Sequence, residues 1–221
     1  MGKMSFQCVI YDCDGVLFDS LESNRRLYND FCLHFSRPPL TEEELKFVHT
    51  HTVFEALHAI LGHDAQQEKA AFDFWERIDI LPYLDLLQME PHLLETLDSL
   101  KGLGVLRAIC TSRSTTMKPI MEKFHLEPHF EMVVTALDVK NPKPHPEAIE
   151  KIIAAFGLDR RKMILVGDSA NDQQAAQAAG ILFAAYKNKE IAGDFFIEDH
   201  RLIVDLLSVS SSHGRRSAKA T

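Results

Sequence analysis

Asp12 and Asp14 stand one residue apart at the end of a short apolar run, Cys8-Val9-Ile10-Tyr11. Such a run reads as a buried parallel strand, whose two faces are both covered and which needs no polar alternation. Ending it in two carboxylates is costly unless something compensates the charge. A divalent cation would do so. Gly15 follows and lets the backbone turn away sharply. The pattern suits a nucleophilic carboxylate, an acid/base carboxylate and a hard metal held by oxygen ligands. Cys13, between the two acids, lacks a partner base, and strand-like alternation points its thiol away from them.

Further stretches supply what that chemistry needs. Thr111-Ser112 ends a second, mostly apolar run, 105–110. Lys143 lies in Asn141-Pro142-Lys143-Pro144-His145-Pro146, just before a helical pattern. A third run, Met163-Ile164-Leu165-Val166, leads into Gly167-Asp168-Ser169-Ala170-Asn171-Asp172. In this order the motifs DxDGV, T/S, KPxP and GDSxxD resemble the haloacid dehalogenase superfamily. Within it the chain looks like the hydrolases with a helical cap, of the phosphoglycolate phosphatase type. The likeness runs from the first strand to about residue 207.

The resemblance implies roles. Asp12 would attack phosphorus and carry it as an aspartyl-phosphate. Asp14 would protonate the leaving alcohol and then deprotonate the hydrolytic water. Thr111 and Ser112 would hold phosphate oxygens, Ser112 having helix capping as its alternative. Lys143 would balance charge on the phosphate and on Asp12, and Lys140 reads as surface charge. Magnesium would meet Asp12, Asp168 and the backbone carbonyl of Asp14, with Asp172 orienting its waters. Asn24 is a candidate for reading the leaving group, as are His49 and His51, which are expected in a polar loop between two predicted helices, 48–52. The implied activity is magnesium-dependent hydrolysis of a small phosphorylated metabolite, phosphoglycolate-like or a sugar phosphate. A beta-phosphoglucomutase-type mutase is the main alternative. Those enzymes carry a histidine soon after the first motif and an arginine in the cap loop, where this chain has Asn24 and no arginine. Dehalogenation at carbon has no need of Asp14. The intact aspartates and lysine favour an enzyme over a binding protein on the same fold.

The elements that must position these residues form an alternating pattern. Strand signals recur at 6–12, 105–111, 132–135, 163–167 and 181–185, with helical patterns between them. Alternation predicts an α/β fold, a doubly wound, Rossmann-like parallel sheet, whose ligands bind at the carboxyl ends of its strands. Residues 20–89 break the pattern. Two capping boxes, Thr41 to Glu44 and Thr52 to Glu55, and apolar residues at helical spacing predict an inserted helical cap there. The core is then 1–19 with 90–207. The polar stretch 208–221 reads as an unstructured tail.

Composition narrows the partners. The chain has 221 residues, 46% hydrophobic content and a net charge of −8, so it can fill a core but repels nucleic acid and anionic membranes. No apolar stretch approaches the ~20 residues that span a bilayer. The N-terminal apolar run is too short for a signal peptide. The four cysteines show no metal-ligand spacing; Cys8 and Cys110 read as small core residues, and reduced thiols predict a cytoplasmic protein. A monomer or homodimer is expected.

Overall fold

The computed structural model describes residues 6–62 and 65–208. Its elements run β1 (Cys8–Tyr11), β2 (Phe18–Asp19), α1 (Leu21–His34), α2 (Glu42–Thr50), α3 (Val53–Leu61), α4 (Ala65–Trp75), α5 (Leu81–Leu84), β3 (Gln88–Met89), α6 (Leu93–Gly102), β4 (Leu106–Cys110) and α7 (Met117–Lys123). They continue β5 (Met132–Val134), α8 (Glu147–Phe156), β6 (Met163–Gly167), α9 (Ala170–Ala179), β7 (Leu182–Tyr186), β8 (Phe195–Ile197) and α10 (Arg201–Ser208). The expected tail lies outside the described residues, apart from Ser208, which ends α10.

Six strands form one parallel sheet in the order β5-β4-β1-β6-β7-β8. β1 lies inside it and is buried on both faces. Val9 and Tyr11 enter one apolar cluster, with Leu97, Ile109 and Val166, while Cys8 and Ile10 enter the other, with Ile149, Ile152 and Leu165. That division is the side-chain alternation of a strand covered on both sides, and it explains why the sequence shows a continuous apolar run. Register then sets the site. Tyr11 pairs with Ile109 of β4 on one side and Val166 of β6 on the other. All three strands therefore end at one level, and the chain leaves β1 between neighbours reached by opposite crossovers, the place where α/β sheets bind ligands.

Helices α1–α5 build a separate apolar cluster in which Leu27, Phe31, Leu57 and Ile60 are buried. Removing the fully buried Phe31 ring should cost about 3–5 kcal/mol. Both expected capping boxes are present: Thr41 accepts from the Glu44 N–H at 3.2 Å, and Thr52 accepts from the Glu55 N–H at 3.3 Å. The crossings between this layer and the sheet run side by side, because β2 and β3 pair antiparallel, Phe18 with Met89 and Asp19 with Gln88. The sequence reading did not include β2, β3 or β8. At two residues each, β2 and β3 are too short to carry a periodicity. No helix among the described residues is long and apolar enough to cross a membrane.

Candidate active site

The first half of the site hangs from strand ends. Asp12 follows β1 and donates its N–H to the Val166 carbonyl at 2.9 Å, which continues the β1–β6 ladder by one step. Its carboxylate Oδ1 lies 2.8 Å from Lys143 Nζ, and the same ammonium lies 2.6 Å from Asp172 Oδ1. Lys143 comes from the segment before α8 and is buried. Asp172 sits in the first turn of α9, where it doubles as a cap. Its Oδ2 accepts from the Ser169 N–H at 3.1 Å and from the Ser169 hydroxyl at 2.5 Å. Two glycines make room for the acids. A Cβ on Gly15, whose φ is +70°, would stand 2.1 Å from Asp168 Oδ2, and one on Gly167 would stand 2.4 Å from the Asp172 Cβ.

These groups are electrostatically strained without a further cation. Burial pushes the Asp12 carboxyl up, Asp172 adds to the rise, and Lys143 opposes it. Asp168 is likewise held well above the usual carboxylate range by burial and then by Asp172 and Asp12. Burial alone would lower Lys143, but Asp12 and Asp172 raise it well above its ordinary value. One carboxylate oxygen from each of Asp12, Asp168 and Asp172 falls within 4.8 Å of the others. Among the described residues, none donates a hydrogen bond to the Asp168 carboxylate. Clustered hard oxygen donors, one of them half-buried and without a protein donor among the described residues, fit a divalent cation.

The second half of the site faces the helical layer. Asp14 is gripped by Arg113, with Nε on Oδ2 at 2.8 Å and Nη2 on Oδ1 at 2.6 Å. Burial would raise this carboxyl, but the Arg113 charge, His49 and the arginine's hydrogen bonds outweigh it and hold it below the usual range. From α1, Asn24 Nδ2 donates to Asp14 Oδ1 at 3.5 Å and to His49 Nδ1 at 3.0 Å. His49 lies in the last turn of α2, not in a loop, and His51 stacks on Phe47 with ring centres 3.8 Å apart. Asn24, His49, His51, Ser112 and Arg113 line one cavity beside Asp14. Thr111 Oγ1 accepts from the Arg113 N–H at 3.1 Å. Ser112 caps no helix, since α7 starts after Thr116. Lys140 is exposed, as read from the sequence.

Two contributors escaped the sequence reading. Arg113 follows Ser112 directly, so a basic residue in the loop after β4 was the available signal. Asn171 reaches across the layers and donates from Nδ2 to the Thr50 carbonyl at 3.0 Å. Its motif position gave no hint of that partner.

Comparison with known proteins places this geometry in a family. The sequence profile described as haloacid dehalogenase-like hydrolase matches residues 9–186. A solved haloacid dehalogenase superfamily hydrolase, subfamily IA, variant 1, from Geobacter sulfurreducens PCA is 39% identical with a TM-score of 0.73, over 91% of this chain and 96% of its own. A phosphoglycolate phosphatase of Salmonella paratyphi A is 37% identical over 91 residues, 41% of this chain and 36% of that protein. The match thus spans little more than a third of the length of such curated relatives. A beta-phosphoglucomutase from Clostridium difficile shares the fold, with a TM-score of 0.80 at 14% identity, over 93% of this chain and 98% of its own. This chain belongs to the haloacid dehalogenase-like hydrolase family.

Proposed function

We propose that this chain is a magnesium-dependent phosphatase that hydrolyses a small phosphorylated metabolite by way of a phosphoryl group carried on Asp12. The observation that supports it most is the buried Lys143 ammonium, 2.8 Å from Asp12 and 2.6 Å from Asp172, beside the Asp168 carboxylate. A carboxylate aimed by a fixed cation at the carboxyl ends of parallel strands is a nucleophile held for attack. The curated relative's activity on phosphoglycolate supports the same reading.

In the first step an Asp12 oxygen bonds phosphorus, the ester P–O bond breaks, and the leaving oxygen takes a proton from Asp14, whose carboxylate first takes that proton up from water. In the second, water bonds phosphorus, its proton passes to the Asp14 carboxylate, and the P–O bond to Asp12 breaks, releasing phosphate. Lys143 offsets charge on the phosphoryl oxygens, and the Thr111 and Ser112 hydroxyls donate to them. Asp12, Asp168 and the Asp14 backbone carbonyl would hold the metal, with Asp172 beside them. Bound there, magnesium supplies positive charge against the carboxylates and the phosphoryl oxygens.

Helices α1–α5 act as the cap in this reading, with Asn24, His49 and His51 facing the leaving group. All four cysteines are buried and unpaired, which supports a cytoplasmic setting. The test is phosphate release by the purified chain with magnesium, across phosphoglycolate, sugar phosphates and an aryl phosphate. Release from at least one ester is expected. No release from any ester contradicts the reading, and isomer formation without phosphate release makes the chain a mutase.

A further inference from the structure

Asn171 stands in the first turn of α9, directly before Asp172, whose carboxylate meets Lys143 at the phosphoryl end. Its own amide donates into the helical layer, to the Thr50 carbonyl at 3.0 Å, 121 residues away in the chain. Thr50 is the last residue of α2. The last four carbonyls of a helix have no partner within it. The Phe47 carbonyl finds a local donor, His51 Nδ1 at 2.9 Å, but the Thr50 carbonyl is capped from the other layer. A backbone acceptor has no rotamers of its own, so this bond follows the position of the whole end of α2. Asn171 reaches it on a short side chain from a firmly capped helix start, in which Ser169 and Asp172 bond each other's N–H groups. A shift of α2 by much more than about half an ångström takes the pair past the ~3.5 Å at which a hydrogen bond is lost.

We propose that Asn171 is a positioning residue: its bond to Thr50 seats the His49 end of α2 on the core, which closes the leaving-group cavity and sets His49 against Asn24. The catalytic consequence rests on the phosphatase reading above; the seating of α2 does not. His49 directly precedes Thr50, and its Nδ1 accepts from Asn24 Nδ2 at 3.0 Å, with Asp14 on the far side of that amide. The cavity is a space between seated layers, with Asn24, Tyr28, His49 and Trp75 on one wall and Ser112 and Arg113 on the other. It measures about 40 Å³, room for about three water-sized groups, too little for an organic leaving group to pass without the layers parting. One neutral hydrogen bond shifts such an equilibrium by about three- to tenfold, enough to hold the helix and weak enough to yield at each turnover. One turn of α9 then serves both ends of the site, Asp172 toward Lys143 and Asn171 toward α2.

Trp75 gives a readout that needs no substrate. It is the chain's single tryptophan, is 9% exposed and lines the cavity. Acrylamide quenching of its fluorescence is measured in wild type, Asn171→Ala and Asn171→Gln. The same proteins are assayed with magnesium on 4-nitrophenyl phosphate and on the metabolite ester of the panel above with the highest kcat/KM. Asn171→Ala should raise the quenching constant by about twofold or more and lower the melting temperature by no more than about 4 °C, the share of one hydrogen bond. KM for the metabolite should rise by about three- to tenfold, while the aryl ester changes by less than about twofold. Asn171→Gln, which keeps the amide on a longer arm, should fall between. Because Asn171 acts through His49, the two losses should overlap, with Asn171→Ala adding less than about twofold to the KM of His49→Ala. Unaltered quenching, losses that add in full, or a much larger drop in melting temperature would each overturn the proposal. Raised quenching in a chain that hydrolyses no ester would leave the seat of α2 standing and the hydrolytic function refuted; turnover with unaltered quenching would do the reverse.

Discussion

The two ends of the site are built differently. At the phosphoryl end, Asp12 and Asp168 follow adjacent strands, and Asp172 opens the helix after β6. Backbone register fixes where these carboxylates stand, and Lys143 locks two of them. At the leaving-group end, Asp14 and Arg113 come from loops after β1 and β4, while Asn24 and His49 come from the helical layer. Side-chain contacts between layers, not a ladder, hold that end together. The paired crossings at β2 and β3 and the bond from Asn171 to Thr50 connect its two halves. A rigid end suits chemistry common to all phosphate esters, and a layered end suits a leaving group that differs between enzymes.

Substitutions can break that contrast. The largest effect is expected from Asp12→Asn, with activity on every ester falling by about 10⁴-fold or more, as when a nucleophile is removed. Its melting temperature should hold or rise, because one of the mutually repelling carboxylates is gone. Unfolding of this variant would make the loss uninformative about catalysis, so calorimetry accompanies the assay. Chelation comes next. Excess chelator should stop turnover of all esters and magnesium should restore it, with calcium a poor substitute because its coordination is larger and looser. Full activity in chelator would remove the cation from the phosphoryl end.

Smaller effects belong to the other end. Asn24→Ala, His49→Ala and His51→Ala should each raise KM for the preferred metabolite by about tenfold, and an aryl phosphate should change by less than about threefold. Equal changes on both esters would erase the division of labour. The smallest effect concerns the scaffold beneath the site. His200 is buried, donates from Nε2 to the Val16 carbonyl at 2.9 Å, and stacks on Tyr186. Burial pushes it from 6.5 down to about 4, against the pull of that carbonyl. Between those values the unfolded chain binds a proton that the fold refuses. Stability is therefore unaffected by this group above pH 6.5 and falls as pH drops, by about 3 kcal/mol at pH 4. His200→Gln should flatten that part of the profile in urea unfolding at several pH values. An unchanged slope would show that His200 titrates normally.

The same contrast governs how much could be read from sequence. β6 begins and ends at the bounds expected for it, 163–167, and the acids at its end and at the end of β1 are those the motifs single out. Buried parallel strands advertise themselves, and residues at their ends inherit that clarity. Arg113 was illegible for the opposite reason. Its type and its place beside Ser112 are plain, but its partner, Asp14, stands 99 residues away and is brought near only by the β1–β4 register. His49 was expected in a loop because the chain between α2 and α3 is polar, yet α2 runs through Thr50 and leaves only His51 and Thr52 between the helices. Helix ends are set by caps and packing as much as by pattern, and Thr52 starts α3 at once.

The central claim is that Asp12 carries the phosphoryl group. It is tested most directly by acid-quenching a single turnover and reducing any acyl phosphate with borohydride, which converts only the phosphorylated aspartate to homoserine. The account predicts homoserine at position 12, and none in the Asp12→Asn variant. Homoserine at position 14, or a burst of phosphate with no acyl phosphate trapped at any time, would contradict it.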